Sequence, residues 1–205
     1  MRSRDDWRVV HQAASWCLGY PDQKVYDQLP VLRTALAEQP PSEVVSHLIR
    51  FLDHVDRTEP ADLVQEYIDL FDLSRKYTLY LSYWTDGDTR RRGEALGRFK
   101  QRYRDSGFLV DTGGELPDHL PLVLEYAAIA DPVQGKELMQ EYRASLELIR
   151  LALIERATPY AEILIAVCQT LPGPSPQDRY AAMAIASAGP PVESVGLGMP
   201  SMGAP

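Results

Sequence analysis

The sequence predicts an all-α protein folded as a single-domain helical bundle. Apolar residues recur at helical spacing in successive segments, for example at Val44, Leu48, Leu52 and Val55. Proline and glycine separate these segments, as expected where helices begin and end. A chain of 205 residues with 45% hydrophobic and 24% charged residues can bury a core without disulfides or a structural metal.

The first three helical segments are defined by their start and stop residues. A helix over residues 5–18 ends at Gly19. Residues 25–37 are interrupted by Pro30, so we expect one short helix followed by a longer one. Ser42 is a good N-cap for the third helix, which carries the apolar stripe described above.

The densest run of aromatic residues follows Pro60, which lies where a helix would begin. Tyr67 and Phe71 share the apolar face of this helix, and core packing is the simplest explanation for both rings. Residues 76–84 fit a helix face, but they also alternate like a strand. We predict helix, because no partner strand is evident in the sequence.

The second half of the chain contains further helical segments separated by a glycine-containing loop. Arg90, Arg91 and Arg92 fall in the first turn of one helix, where positive charge has only a small cost. Neutralisation by Asp86 and Asp88 and contact with carboxylates of a partner both remain open. Helices are predicted at residues 89–105, 117–130, 132–153 and 160–171, with the loop at residues 109–115.

The composition changes after residue 171. Residues 1–171 form the predicted helical domain, and residues 172–205 contain seven proline and five glycine residues. We expect one alanine-rich helix over residues 179–187 and disorder thereafter. A less favoured alternative is that Val195, Leu197 and Met199 fold back into a binding groove.

Charge and segment length exclude several classes of partner. The net charge of −8 argues against nucleic acid and anionic lipid, which need a basic face. The most apolar window has about eleven residues, whereas a membrane span needs about twenty, so we expect no membrane insertion. The N-terminus has no apolar export signal, which predicts a cytoplasmic protein. Cys17 and Cys168 lie in apolar segments and are expected to be buried thiols.

No motif indicates an enzyme or a metal site. The sequence lacks the signatures of nucleotide-binding loops, zinc proteases, serine hydrolases and dithiol oxidoreductases. His47 and His54 are separated by about 10 Å along their helix, so solvated histidines are expected instead of metal ligands. Asp118 and His119 are the only adjacent acid and imidazole. They are interpreted as a cap and a hydrogen-bonding residue, because no nucleophile can be identified for an Asp/His enzyme.

Amphipathic helices with surplus aromatic residues suit the capture of an amphipathic peptide. A helical adaptor or scaffold that binds through its outer faces is the competing interpretation. Two stretches of sequence favour peptide capture: EYIDLFDLSRKYTLYLSYWTDGDTRRRGEAL and ELPDHLPLVLEYAA. Together they resemble the NarJ-type nitrate reductase molybdenum cofactor assembly chaperones, in the wider TorD/DmsD group of redox-enzyme maturation proteins.

The resemblance covers residues 5–171 and implies an all-α fold of the TorD-like type. It also implies a cytoplasmic chaperone that binds the N-terminal segment of the apo catalytic (alpha) subunit of respiratory nitrate reductase. Molybdenum cofactor insertion follows, and the chaperone itself holds no cofactor permanently. Molybdenum cofactor biosynthesis proteins are further possible partners.

The resemblance also assigns site residues. Its EYxxLF motif corresponds to Glu66, Tyr67, Leu70 and Phe71, and its PDHLP motif to residues 117–121, with Glu125 following. The two faces of the predicted helices add Tyr80, Trp84, Leu122 and Tyr126. Asp118 and Glu125 are expected to pair with basic residues of the peptide. The predicted peptide-binding residues are therefore Glu66, Tyr67, Phe71, Tyr80, Trp84, Asp118, His119, Leu122, Glu125 and Tyr126.

Overall fold

The computed structural model of the protein describes residues 6–108 and 111–188. Two of its helices continue into a π-helical turn, at Ile68–Asp72 and at Tyr126–Ala130, and a short 3-10 helix spans Arg75–Tyr77. The all-α prediction is confirmed. The α-helices of the described ranges are α1 (Trp7–Cys17), α2 (Gln23–Ala37), α3 (Glu43–Arg57), α4 (Pro60–Tyr67), α5 (Leu81–Asp86), α6 (Arg90–Asp105), α7 (Leu120–Glu125), α8 (Pro132–Glu141), α9 (Arg143–Arg156), α10 (Ala161–Gln169) and α11 (Arg179–Ala188).

Short polar side chains and proline set the starts of several helices. The side chain of Asp6 accepts a hydrogen bond from the Arg8 amide at α1, and that of Asp22 accepts one from the Val25 amide at α2. The predicted N-cap Ser42 accepts from the amide of Val45. Such caps satisfy backbone donors that have no partner within the helix.

Helix α1 lies at the centre of the bundle. It packs against α2, α3, α7 and α10, and against the π-helical turn that follows α7. Small residues allow this close packing, since Ala13 and Ala14 are buried beside Val10 and Leu18. Full burial of a side chain such as Leu18 contributes about 1.5–3 kcal/mol. One apolar core therefore connects the N-terminal and C-terminal helices.

Helix α2 is continuous, so the predicted division at Pro30 is wrong. Proline removes one backbone hydrogen bond within a helix. Here Pro30 is exposed, while Leu29, Leu32 and Leu36 on the same helix are buried. The tertiary contacts of these leucines hold both halves of the helix in line across the proline.

The prediction of a helix through residues 76–84 is wrong for residues 78–80, which are extended. The backbone pairs there in an isolated antiparallel bridge between Tyr80 and His119. The amide of Leu120 donates to the carbonyl of Leu79 at 2.8 Å, and the amide of Leu81 donates to the carbonyl of Asp118 at 3.1 Å. The partner segment lies almost forty residues away, so no local pattern could reveal it.

The predicted helix over residues 132–153 is divided into α8 and α9. The break falls at Tyr142, whose φ of −97° and ψ of 22° lie outside the helical range. Tyr142 is buried and its ring packs on that of Phe99, with centroids 4.7 Å apart. The break thus coincides with the burial of a large side chain against Phe99 of α6.

The segment after α10 is attached to the bundle by buried charges. Glu147 on α9 is fully buried and pairs with Arg143 at 2.6 Å and with Arg150 at 2.5 Å. Ser175 donates to the same carboxylate at 2.7 Å, and the two guanidinium groups donate to backbone carbonyls of the segment, those of Pro172 and Pro176. Helix α11 then packs along α9.

The predicted alanine-rich helix is thus present as α11. Residues 189–205, for which disorder or groove occupation was expected, lie outside the described residues.

Cys17 and Cys168 are buried and free, as predicted, and burial raises the pKa of the Cys17 thiol to about 12. No helix within residues 6–108 and 111–188 is both long and apolar enough to cross a membrane.

Candidate functional site

The two motif-bearing segments meet at Asp118, which is 0% exposed. Its Oδ2 atom accepts hydrogen bonds from the amide of Ser82 at 3.0 Å and from the hydroxyl of Ser82 at 2.6 Å. Asp118 therefore caps the start of α5, although this helix lies more than thirty residues earlier in the sequence. Its expected pairing with basic residues of a peptide stays a prediction, and the structure places its carboxylate inside the fold.

His119 and Tyr80 face each other across the backbone bridge. Their ring centroids are 5.3 Å apart, and the Tyr80 hydroxyl donates to Glu115 Oε2 at 2.6 Å. Burial lowers the pKa of His119, although Glu115 and Asp118 oppose the shift. The imidazole is therefore neutral near pH 7 and offers a flat, weakly polar surface instead of a charge.

A surface depression of about 290 Å³ opens at this meeting point. The ring of Tyr80 and the side chain of Phe71 contribute to its wall, and the guanidinium of Arg92 lies 5.8 Å from the Tyr80 ring and 5.7 Å from the Tyr83 ring. Asp88 pairs with Arg92 at 3.3 Å. We call this the junction depression; it is lined by Phe71, Asp72, Ser74, Arg75, Thr78, Tyr80, Tyr83, Asp88, Arg92 and Leu116.

Tyr67 supports the junction depression from within the core. It is 6% exposed, and its hydroxyl donates to the carbonyl of Leu18 at 3.3 Å. Its ring contacts Phe71, which in turn meets Tyr160 edge-on at a centroid distance of 5.1 Å. The role of Tyr160 beside Phe71 was not predicted, because an aromatic residue near the start of an apolar helix resembles any other core residue.

Glu66 lies outside the junction depression. Its carboxylate contacts His54 Nε2 at 2.8 Å and accepts a hydrogen bond from Thr158 at 3.1 Å, beside a separate depression of about 390 Å³. His47 likewise contacts Glu162, at 2.6 Å. The expectation of freely solvated histidines is therefore wrong, because each is held by a carboxylate of a neighbouring helix. Among the described residues, no cluster of three or more acidic, histidine or cysteine side chains could hold a metal ion.

Trp84 faces the other side of α5. Its indole nitrogen donates to the carbonyl of Thr78 at 2.9 Å, and the guanidinium of Arg179 lies 5.8 Å from its ring. Trp84 lines a larger depression of about 650 Å³, which we call the basic depression. It is lined by Arg75, Lys76, Tyr77, Tyr83, Trp84, Ala152, Glu155, Arg156 and Arg179.

Leu122, Glu125 and Tyr126 line a third surface beside α7. This α7 depression has a volume of about 340 Å³ and also includes the exposed side chains of Phe108 and Ile129. Tyr126 itself is buried, with its ring 4.8 Å from that of Tyr103. Of the residues predicted to bind peptide, Phe71 and Tyr80 line the junction depression, and His119 contacts the Tyr80 ring without lining it. The others lie elsewhere.

Tyr83, Arg92 and Leu116 were not among the predicted site residues. Arg92 belonged to the arginine run whose role was left open, and it is neutralised in part by Asp88. Tyr83 belonged to the strand-like alternation, which was set aside in favour of a helix. Their assembly depends on the bridge between Tyr80 and His119, so it could not be inferred from spacing.

The chain matches the family model described as "Nitrate reductase delta subunit" over residues 34–166. It is 41% identical over 170 residues to a nitrate reductase-like protein, NarX, of Mycobacterium tuberculosis; the match covers 82% of this chain but 25% of NarX. It is 31% identical to a Bacillus subtilis protein assigned as a nitrate reductase molybdenum cofactor assembly chaperone, NarJ, covering 78% of this chain and 86% of that protein. The chain therefore spans only a quarter of NarX but most of NarJ.

The fold is also similar to that of a solved structure. It is the crystal structure of a protein from Archaeoglobus fulgidus assigned as a redox enzyme maturation protein. The TM-score is 0.62 at 22% sequence identity, over 82% of this chain and 95% of that one. At this identity the likeness concerns the arrangement of the helices alone.

Proposed function

The chain belongs to the nitrate reductase delta subunit family, and on this premise we propose that it is an assembly chaperone for a respiratory nitrate reductase. In this function it binds the N-terminal segment of the apo catalytic subunit and supports insertion of the molybdenum cofactor. The match to a NarJ relative along most of both chains is the observation that carries the proposal.

We assign peptide binding to the junction depression. It lies where the two motif-bearing segments meet, and Phe71, Tyr80 and Leu116 supply apolar surface for side-chain burial. Asp72 in its lining is exposed and forms no ion pair among the described residues, so its carboxylate can receive a basic side chain. An amphipathic segment with apolar and basic residues fits both properties.

Asp118 and Tyr67 support this surface without forming part of it. Asp118 fixes the start of α5, and thereby Tyr83, against the bridge that carries Tyr80. Tyr67 fixes Phe71 through ring contact. Both motif residues thus have a reason to be present even though neither is accessible to a peptide.

The same proposal concerns location and partners. Binding takes place in the cytoplasm, before the catalytic subunit is attached to the membrane, and the chaperone retains no cofactor. Molybdenum cofactor biosynthesis proteins are proposed as transient partners of the complex. The acidic net charge of −8 agrees with a basic partner segment and with the absence of a nucleic-acid role.

The other two functions are less well supported. An Asp/His enzyme requires an accessible Asp118, but its carboxylate is buried and bonded to Ser82. Family relatives are moreover assigned as assembly chaperones. A scaffold that binds only through its outer faces would leave the junction depression without a role, and mutation there separates it from the chaperone.

Calorimetric titration tests the proposal with a peptide that copies the N-terminal segment of the catalytic subunit from the same genome. We expect binding that Tyr80→Ala weakens about tenfold or more, because a buried aromatic contact is lost. The matched control is Phe108→Ala, an aromatic residue that is 53% exposed in the α7 depression. Circular dichroism confirms that both variants fold.

The outcomes separate the parts of the proposal. Absence of any heat change with the wild-type chain would remove peptide binding altogether. Loss of affinity in Phe108→Ala alone would move the site to the α7 depression. Unchanged affinity in both variants, with binding retained, would favour the scaffold.

A further inference from the structure

The basic depression is the most positively charged concave surface described here, on a chain whose net charge is −8. Its cations come from three separate elements: Arg75 and Lys76 from the 3-10 helix, Arg156 from the end of α9, and Arg179 from the start of α11. Glu155 is the carboxylate in its lining. All four cationic side chains are exposed, so solvent screens their mutual repulsion. An anion in the depression would nevertheless contact cations from three elements at once.

Most of these cations have no counterion in the fold. Arg75 pairs with Asp88 at 3.3 Å. Within the part of the chain that the structure describes, the side chains of Lys76, Arg156 and Arg179 form no ion pair within 4.0 Å. Arg156, in the last turn of α9, also complements the helix dipole, but this does not explain why the other cations converge on it.

The wall of the depression is held in place before any ligand arrives. Trp84 is fixed by its hydrogen bond to the carbonyl of Thr78, and the guanidinium of Arg179 lies over the indole ring, 5.8 Å from its centroid. Helix α11 is in turn attached to α9 through Ser175 and the buried Glu147. A preorganised arginine loses little conformational freedom on binding, which favours affinity.

We propose that the basic depression binds a small organic phosphate, namely a phosphoryl or diphosphoryl group carried on a flat ring. Guanidinium and ammonium groups match the charge and the several acceptor oxygens of a phosphate. The half-buried rings of Tyr77 and Tyr83 offer stacking surface beside the cations. The volume of about 650 Å³ falls within the range typical of small-molecule sites.

The assignment is independent of peptide binding. The junction depression contains Asp72 and Asp88 next to its arginines, whereas the basic depression has four cations from three elements and one carboxylate, that of Glu155. Tyr83 and Arg75 line both surfaces, so the two sites are adjacent.

The test is calorimetric titration of the full chain with ADP, inorganic pyrophosphate and adenosine, in buffer without divalent cations. We expect saturable binding of one ADP per chain, at least about tenfold tighter than pyrophosphate, because stacking adds to the charge interaction. Adenosine should bind more weakly than either. The variant Arg156→Ala/Arg179→Ala should lose at least about tenfold in ADP affinity.

The control is Arg90→Ala/Arg91→Ala, which removes the same charge from exposed positions that do not line the depression. It should keep the wild-type affinity. Equal loss in both double variants would show a general charge effect and overturn the site, as would the absence of saturable ADP binding. Equal affinities for ADP and pyrophosphate would indicate a site for any polyanion, acidic protein segments included, and would overturn the ring-bearing ligand.

Discussion

Asp118 and Glu147 are both fully buried carboxylates, yet their surroundings differ. Glu147 lies between two guanidinium groups, those of Arg143 and Arg150. Asp118 is held by neutral groups, the amide and the hydroxyl of Ser82. Its Oδ1 atom has no hydrogen-bond partner among the described residues. The same functional group is thus stabilised by opposite charge in one place and by dipoles in the other.

Each carboxylate attaches an irregular segment to the helices. Glu147 fixes residues 172–176 and so positions α11 with Arg179, which lines the basic depression. Asp118 fixes the start of α5 beside the bridge, and thereby the junction depression. Burial of a charge is costly without compensation, and the comparison shows two ways in which one fold supplies it.

The variant Glu147→Gln should have the largest effect. The neutral amide would leave Arg143 and Arg150 buried without a counterion, at a cost of about 3–5 kcal/mol. Urea denaturation measures this as a fall in the free energy of unfolding. Glu155→Gln, on the exposed surface of the same helix, is the control and should stay within about 0.5 kcal/mol of the wild type. A loss for Glu147→Gln no greater than that of the control would contradict the electrostatic role of the arginines.

The corresponding variant Asp118→Asn should cost less, about 1 kcal/mol, because an amide oxygen can still accept from Ser82 and no buried cation is left behind. The same denaturation experiment applies, with the exposed Asp111→Asn as control. If the loss equalled that of Glu147→Gln, the two carboxylates would not differ as described. Asp118 does not line the junction depression. Its replacement by Asn should therefore weaken binding of the catalytic-subunit peptide less than Tyr80→Ala does.

His11 is a buried base that, unlike the two carboxylates, is neutral in the folded protein. His11 is buried, its Nε2 atom contacts the hydroxyl of Thr170 at 2.8 Å, and burial lowers its pKa from 6.5 to about 3. The unfolded chain therefore binds a proton below pH 6.5 that the folded chain does not. Stability from this group is present above pH 6.5 and is lost as the pH falls towards about 3.

Between pH 7 and pH 5.5 the contribution of His11 should fall by roughly 1 kcal/mol. The measurement is the free energy of unfolding of the wild type and of His11→Gln at both values. The variant is less stable at pH 7 but should lack this part of the pH dependence. His54→Gln, at a partly exposed histidine, is the control. An unchanged pH dependence in His11→Gln would show that the proton is taken up elsewhere.

The extent to which the sequence was predictive varies along the chain. Caps such as Ser42 and the apolar periodicity act within a few residues, so α1, α3 and α4 were placed close to their observed bounds. The continuity of α2 across Pro30 was not predictable, because distant packing of its leucines decides it. The family assignment depended on two stretches of sequence, whose residues and order are characteristic of the family.

The candidate site was predictable only in part. The predicted residues Phe71 and Tyr80 line the same depression and His119 contacts the Tyr80 ring, whereas Trp84 and Leu122 belong to other surfaces. The prediction assumed that aromatic residues on neighbouring helices face one groove. The extended residues 78–80 change that geometry, since Tyr80 pairs with the backbone of His119 whereas Trp84 of α5 lines the basic depression.

The sequence by itself determined the all-α class, the family and the segments that carry the motifs, because these depend on local periodicity and on residue identity. The tertiary structure decided that Asp118 is an internal cap and that the guanidinium of Arg92 lies 5.8 Å and 5.7 Å from the ring centroids of Tyr80 and Tyr83. It also decided that cations from three elements meet at one depression. These features depend on backbone pairing and burial between distant segments, and no interaction within a single segment specifies them.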